Sequence, residues 1–247
     1  MLFVICYLLF VICYLLFVKM KPYQKIAIAD CGEPLVPIPL GMFALVSPHP
    51  YQKLGATYGD RSPFYLRQRV LEKLIVAQTQ LQQKLGWRLE IFDAYRPVAV
   101  QQFMVDYTYQ ELVKAQGLTE AELSSDLQEK ILQQVYEFWA PPSPDPTTPP
   151  PHSTGAAIDL TIVDSMGEPV NMGSPIDEVS PRSYPDHFAT SENPIEQQYH
   201  THRKLLFDVM QFAGFQRHPN EWWHFSVGDQ MWAWLTGEPT AYYGRVE

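Results

Sequence analysis

The pattern of apolar and polar positions predicts a long helix in the first third of the chain. Over residues 62–86, apolar side chains recur every three or four positions, as on the buried face of an amphipathic helix. Ser62 is a suitable N-cap, Pro63 fits the first turn, and Gly86 can end the helix. We therefore predict one helix from Ser62 to Gly86.

Three further helices follow from the same kind of pattern. The spacing predicts a helix over about 98–115. A capping box formed by Thr119 and Glu122 predicts another, which runs to about Trp139. Apolar positions at helical spacing predict a fourth helix over 195–214, where a glycine ends it.

Strand patterns alternate irregularly with these helices. The segments 87–97, 157–164 and 221–227 have the alternation or the β-branched and aromatic content of strands, whereas residues 22–60 indicate short strands and loops. Residues 171–193 are typical of a loop. Because no regular βαβ repeat is present, we predict an α+β fold with a small antiparallel sheet flanked by helices.

Composition excludes several classes of protein. With 46% hydrophobic and 18% charged residues the chain is globular, and a net charge of -9 without a lysine or arginine cluster excludes a nucleic-acid partner. The three cysteines, Cys6, Cys13 and Cys31, form no C-x-x-C pair. Zinc fingers and thioredoxin-like redox chemistry are therefore excluded.

The N-terminus is an uninterrupted apolar repeat. Residues 2–18 repeat the sequence LFVICYL, which is either a membrane anchor near the minimum spanning length or the translation of a tandem seven-nucleotide repeat, with Met20 as the start. We therefore separate residues 1–19 from a single domain at 20–247. We predict a cytoplasmic protein or, if the repeat is an anchor, a membrane-anchored one.

A proline-rich segment precedes the first candidate functional residue. Seven of the residues at 141–151 are proline, so the segment must be extended and stiff. In isolation it could be an interdomain linker. If one site used residues on both sides of it, it would instead be a surface segment that positions His152.

Asp159 is the most informative candidate for a metal ligand. It lies inside the apolar run AAIDLTI, and an unpaired buried carboxylate costs several kcal/mol. With His152 and His224 it would complete a two-histidine, one-aspartate set. Three protein ligands with one open position are typical of a catalytic zinc, which activates a water molecule and polarises a carbonyl.

Glu221 and Arg96 are the candidates for acid–base and charge-stabilising roles. Glu221 can share a site with His224 only if it lies in the turn set up by Pro219 and Asn220, since positions i and i+3 of a strand face opposite ways. The alternative is a solvated glutamate beside a core histidine. Arg96, at a strand end, could hold an oxyanion or simply pair with a carboxylate such as that of Asp93.

Four motifs in order, DAYRP, HSTGAAIDLT, MGSPIDEVSPRS and EWWHF, resemble those of the zinc D-alanyl-D-alanine dipeptidases, which are related to the zinc D,D-carboxypeptidases. The resemblance implies one zinc per chain on His152, Asp159 and His224, Glu221 as catalytic base and Arg96 at the transition state. It also implies the compact single-domain fold of the hedgehog and D,D-peptidase type. One departure is Pro150, where the family has a serine.

The resemblance further implies a small dipeptide as substrate and a role in the turnover of cell-wall precursors. Asp177 matches the family's acidic motif and is our candidate for binding the substrate ammonium, and Ser153 could add a hydrogen bond. Two alternatives stay open: a zinc D,D-carboxypeptidase acting on peptidoglycan stem peptides, and a zinc-stabilised binding domain without catalysis. A structural metal would require neither Glu221 nor Arg96.

Overall fold

The computed structural model of the protein describes residues 20–246. The helices in this range are α1 (Pro50–Leu54), α2 (Gln68–Leu85), α3 (Val98–Ala115), α4 (Ser125–Phe138), α5 (Pro194–Phe212) and α6 (Gln230–Thr236). The strands are β1 (Ala27–Ile28), β2 (Leu35–Pro37), β3 (Ala44–Leu45), β4 (Tyr65–Arg67), β5 (Arg88–Asp93), β6 (Ala157–Val163), β7 (Gln216–Arg217), β8 (His224–Ser226) and β9 (Thr240–Ala241).

A five-stranded sheet in the order β3-β5-β6-β8-β7 forms the centre of the described structure. Its pairs are antiparallel except for β3 and β5, which run parallel. Two small sheets, β1 with β9 and β2 with β4, lie apart from it. The predicted α+β class with a small, mainly antiparallel sheet is confirmed.

Two apolar cores form on opposite sides of β5. Leu89 and Ile91 belong to one core together with buried side chains of α2 and α5, whereas Phe92 packs on a second core with α1, α3 and α4. Successive side chains of a strand point to opposite faces, so the alternating sequence of β5 builds both cores. Strand β5 is thereby packed on both faces.

The first predicted helix begins later than its sequence pattern indicates. Residues Tyr65–Arg67 form β4, which pairs with β2, and α2 begins only at Gln68. A local sequence pattern cannot reveal this pairing, because the partner strand lies some 30 residues away. The predicted end is confirmed, since Gly86 has the left-handed conformation (φ 70°) of a helix C-cap.

The predicted third helix is divided at its start. The capping box of Thr119 and Glu122 forms, but on a single 3-10 turn, and α4 begins at Ser125. Ser124 is the actual N-cap, and its hydroxyl accepts the Leu127 N–H at 3.3 Å. Two capping sequences follow each other here; the helix was predicted to begin at the first, but it begins at the second. The helix at Val98–Ala115 and the strand at Ala157–Val163 are confirmed.

The apolar repeat lies outside the described residues, so the predictions of an anchor or an artefact for residues 1–19 stay open. Within residues 20–246, none of the helices has both the length and the apolar character that crossing a membrane requires. The proline-rich segment has no regular secondary structure, and its last residues, 149–151, are buried where they lead into the 3-10 turn Pro151–Thr154.

Candidate active site

Neighbouring strands place the three predicted metal ligands together. Asp159 on β6 lies directly opposite His224 on β8 in the antiparallel register, so the sheet itself sets their separation. His152 comes from the 3-10 turn that leads into β6. The positive φ of Gly155 (70°) ends this turn, and a side chain at that position would collide with Leu35.

The ligand atoms of these residues converge. His152 Nε2 lies 3.1 Å from His224 Nδ1 and 3.1 Å from Asp159 Oδ2, and His224 Nδ1 lies 2.9 Å from Asp159 Oδ1. All three side chains are buried, and one ligand atom from each falls within 4.8 Å of the others. Two histidines and one aspartate in this arrangement have the ligand types of a catalytic zinc site.

The surroundings of His152 support this interpretation. Its Nδ1–H donates to the carbonyl oxygen of Ala94 at 2.6 Å, which leaves Nε2 with a lone pair directed at the cluster. Burial lowers the pKa of His152, and the positive charge of Arg96 adds to the effect, which favours the neutral ring that a ligand requires. The residues present therefore fit a metal ion.

Asp159 is held in its anionic form. Burial opposes its ionisation, but His152 and His224 outweigh that effect and keep the pKa of the carboxyl well below its usual value. Arg96 Nη2 also donates to Asp159 Oδ2 at 2.8 Å. An anionic carboxylate and a neutral histidine are the protonation states that metal binding requires.

Glu221 lies in the loop of the β7–β8 hairpin, not on a helix or strand, which is the one arrangement that lets it share a site with His224. Its Oε2 is 3.9 Å from His224 Nδ1, and its Oε1 is 3.3 Å from His218 Nδ1. The buried indoles of Trp222 and Trp223 fix this loop. Burial raises the pKa of Glu221 to about 8, in the range that suits a group accepting and then returning a proton near neutral pH.

Arg96 is buried beside the ligand cluster and is bound on several sides. Nε donates to Asp93 Oδ2 at 2.7 Å, and Nη1 donates to Gln101 Oε1 at 2.9 Å. Nη2 donates both to Asp159 and, at 3.0 Å, to the hydroxyl of Tyr51. Arg96 therefore forms the predicted ion pair with Asp93, and it also lines the pocket next to the cluster, so its role in holding an oxyanion stays a prediction.

Of the two predicted substrate-binding residues, the structure brings one into the pocket. Asp177 lines it together with Glu221 and the ligands, and its Oδ2 accepts the Tyr51 hydroxyl at 2.9 Å. Ser153 is fully buried, and its hydroxyl donates to the Pro150 carbonyl at 2.7 Å. It braces the turn that carries His152, so we do not retain it as a substrate-binding residue.

The sequence indicated Asp93 as a partner of Arg96, but it did not indicate the residues that bind Asp93 on its other side. Asp93, at the end of β5, is completely buried and accepts hydrogen bonds from Tyr58 at 2.8 Å and His49 Nε2 at 3.2 Å. Asp93 carried a signal, because it alternates with buried apolar residues in a strand. His49 and Tyr58 carried none, since only the packing of the α1 region onto β5 brings them near.

The N-terminal end of the described chain also reaches the pocket, which the sequence did not indicate. Lys21 and Tyr23 line it, as does His218 from the β7–β8 hairpin. Lys21 lies directly beyond the apolar repeat, in a segment with no motif. Its place follows only from how that segment packs against α6.

The chain has an α+β fold and a buried His/Asp/His cluster, with a glutamate and an arginine in the same pocket. Together with the family match, these features define it as a metallopeptidase. Residues 45–240 match the model of peptidase family M15, described as D-ala-D-ala dipeptidase. The chain belongs to this family.

Individual relatives agree with the family match. The chain is 49% identical to a D-alanyl-D-alanine dipeptidase of Synechocystis sp., over 92% of this chain and 98% of the relative. It is 30% identical to a D-alanyl-D-alanine dipeptidase of Escherichia coli, over 58% of this chain and 56% of that protein. The solved structure of VanYB in complex with D-alanine-D-alanine covers 70% of this chain and 78% of its own, with 16% identity and a TM-score of 0.43.

Proposed function

We propose that the protein is a zinc-dependent dipeptidase that hydrolyses D-alanyl-D-alanine to two D-alanines, with one zinc ion per chain. The observation that carries the proposal is the convergence of His152, Asp159 and His224 in one pocket with Glu221 and Arg96. A binding domain with a structural metal would need neither of the last two residues. The chain's near-complete coverage of a 49% identical dipeptidase supports the same substrate.

In this proposal His152, Asp159 and His224 hold the zinc. When bound, the ion supplies Lewis-acid chemistry, which polarises the peptide carbonyl and makes a water molecule more acidic. Glu221 takes a proton from the attacking water and returns it to the leaving amine nitrogen. The carbon–nitrogen bond breaks while a carbon–oxygen bond forms, so two free amino acids result.

Arg96 contributes positive charge where the carbonyl oxygen becomes negative. Its partners hold the guanidinium rigidly, and a donor that is already oriented needs no reorganisation during the reaction. Asp177, which lines the same pocket, binds the substrate ammonium. The reaction would serve the turnover of a cell-wall precursor.

Replacing Glu221 with alanine tests the proposal, because it removes the base and leaves the three ligands in place. We expect the wild-type protein to contain one zinc per chain and to release D-alanine from D-alanyl-D-alanine. The Glu221→Ala variant should retain the zinc and lose turnover by about 100- to 10,000-fold. Metal content by atomic emission and D-alanine by an enzyme-coupled assay give both results.

Glu168→Ala is the matched control, since Glu168 is an exposed glutamate in a turn outside the pocket. It should have wild-type activity. Zinc without dipeptide turnover in the wild type would contradict the proposed substrate, and a stem pentapeptide would then be assayed. Absence of zinc from the purified protein, with no uptake on addition, would contradict the assignment of the cluster.

A further inference from the structure

We propose that Lys21 binds the carboxylate of the substrate and thereby makes the enzyme selective for dipeptides with a free C-terminus. The inference deepens the proposed function and rests on it. A free dipeptide carries an ammonium at one end and a carboxylate at the other. Asp177 can pair with the ammonium, whereas no residue in the catalytic motifs of the sequence is assigned to the carboxylate.

Lys21 is delivered to the pocket by an anchored segment. It precedes the 3-10 turn Pro22–Lys25, and its backbone N–H donates to Gln24 Oε1 at 2.8 Å. The side chain of Gln230 on α6 donates to the carbonyl oxygens of Gln24 at 3.3 Å and Ile26 at 2.7 Å. Tyr23, in the same turn, is buried. Hydrogen bonds within the turn and from the turn to α6 thus fix the position of the Lys21 backbone.

The ammonium group of Lys21 has donors to spare. Within residues 20–246, Nζ donates one hydrogen bond, to the Trp139 carbonyl oxygen at 3.4 Å. A lysine ammonium carries three N–H donors, so two remain. Lys21 forms no ion pair with a carboxylate of the described chain at 4.0 Å or less, although Glu221 and Glu137 lie near enough for their charges to act on it. A partly buried cation with unused donors can accommodate an anion.

Arg96, the other lysine or arginine that lines this pocket, is already assigned to the carbonyl oxygen of the scissile bond. Arg96 pairs with Asp93 and Asp159, and its Nη1 is bound to Gln101. The turn that carries His152 offers little help, because Ser153 donates to a backbone carbonyl and Pro150 has no side-chain donor. Lys21 is therefore the cation of the described pocket that can pair with a substrate carboxylate.

The location relative to Glu221 suits the departing half of the substrate. Lys21 and Glu221 line the same pocket. Glu221 must deliver a proton to the leaving amine, so it lies next to the C-terminal residue of the dipeptide. A cation close to Glu221 then faces the carboxylate of that residue, while Asp177 and Tyr51 face the N-terminal residue.

A comparison of two substrates tests this inference directly. Lys21→Met in the full chain removes the charge but keeps most of the side-chain volume. Steady-state kinetics would be measured with D-alanyl-D-alanine and with D-alanyl-D-alaninamide, whose C-terminus is neutral. We expect wild type to prefer the free acid by about 10- to 100-fold in kcat/KM, the size of a lost charged hydrogen bond. The variant should lose this preference through a higher KM for the acid, and its activity on the amide should fall far less than its activity on the acid.

Two further variants separate a charge effect from a structural one. Lys25→Met, in the same turn but exposed, should keep the wild-type preference, and Lys21→Arg should restore most of it. An equal loss on both substrates would overturn the inference and would indicate that Lys21 acts on Glu221 or on folding. An unchanged preference would overturn it as well. If wild type hydrolysed neither substrate, the proposed function itself would fail, and this role of Lys21 with it.

Discussion

Two buried arginines, Arg96 and Arg203, are held by different kinds of partner. Arg96, between β5 and α3, is bound mainly by carboxylates, those of Asp93 and Asp159. Arg203, on α5, is bound by the backbone carbonyls of Met172, Arg182 and Tyr184 and by the hydroxyl of Ser174, so no carboxylate neutralises it directly. Both are almost inaccessible to solvent.

Their pKa values respond accordingly. Burial lowers the pKa of Arg203, whereas in Arg96 the same effect is more than offset by Tyr51, Asp93 and Asp159, so its pKa lies well above the usual value. Arg96 is thus part of a charge network that reaches Asp159, one of the proposed metal ligands. Arg203 holds together the loop that carries Asp177. In the proposed function, Arg96 takes part in the reaction, whereas Arg203 maintains the conformation of the loop that carries Asp177.

The largest difference in activity between variants of the two arginines should come from Arg96→Lys. A lysine cannot reproduce the planar fork that binds Asp93, Gln101 and Asp159 together. We expect kcat to fall by about 100- to 1,000-fold, as when a preorganised donor is removed from an oxyanion site. Kinetics on D-alanyl-D-alanine, with zinc content measured on the same sample, check this.

Arg203→Lys is the matched control for that experiment. It should lower the free energy of unfolding, because carbonyl groups lose a buried partner. Its kcat should fall far less than that of Arg96→Lys, since none of its contacts reaches the metal ligands. Equal losses of kcat in the two variants would mean that Arg96, too, is only a structural support.

An intermediate effect is expected for Asp177→Asn, which tests the loop held by Arg203. Asp177 has a positive φ of 66°, and asparagine tolerates that conformation, so the change removes the charge without straining the backbone. We expect KM for D-alanyl-D-alanine to rise by about 10- to 100-fold with little change in kcat. Initial rates over a range of dipeptide concentrations give both constants.

The neighbouring change Glu178→Gln is the control, because Glu178 pairs with Arg182 and does not line the pocket. N-acetyl-D-alanyl-D-alanine provides a second check, since it has no ammonium. If Asp177→Asn lowered the turnover of the acetylated dipeptide as strongly as it lowered the turnover of the free dipeptide, Asp177 would not bind the ammonium.

The smallest effect is expected at the back of the Arg96 network, with Tyr58→Phe. This removes the hydroxyl that donates to Asp93 at 2.8 Å, while His49 and Arg96 still bind that carboxylate. We expect the free energy of unfolding to fall by about 1–2 kcal/mol. The rate should fall only a few-fold. Denaturant titration and kcat are the measurements.

Tyr109→Phe is the control, since Tyr109 is buried in the core formed by α1, α3 and α4, away from Asp93. It should be nearly neutral. A loss of activity from Tyr58→Phe as large as that from Arg96→Lys would show that Asp93 takes a more direct part in the reaction.

The sequence indicated the chemistry better than it indicated the support for that chemistry. His152, Asp159 and His224 could be found because an aspartate in an apolar strand needs partners, and Glu221 because its neighbours place it in a turn. His49, Tyr58 and Lys21 could not be found, because each joins the site through segments distant in the chain. The predicted start of α2 was wrong for the same reason, since β4 forms only by pairing with the distant strand β2.

By itself, the sequence determined the α+β class, most helices and strands, and the types of group available for a metal and a base. These follow from local periodicity and from the cost of burying a lone carboxylate. Only the tertiary structure decided that Asp159 faces His224 across the sheet, that Arg96 is shared between Asp93 and Asp159, and that Lys21 reaches the pocket. Those relations depend on strand register and on packing between distant segments, which no local pattern encodes.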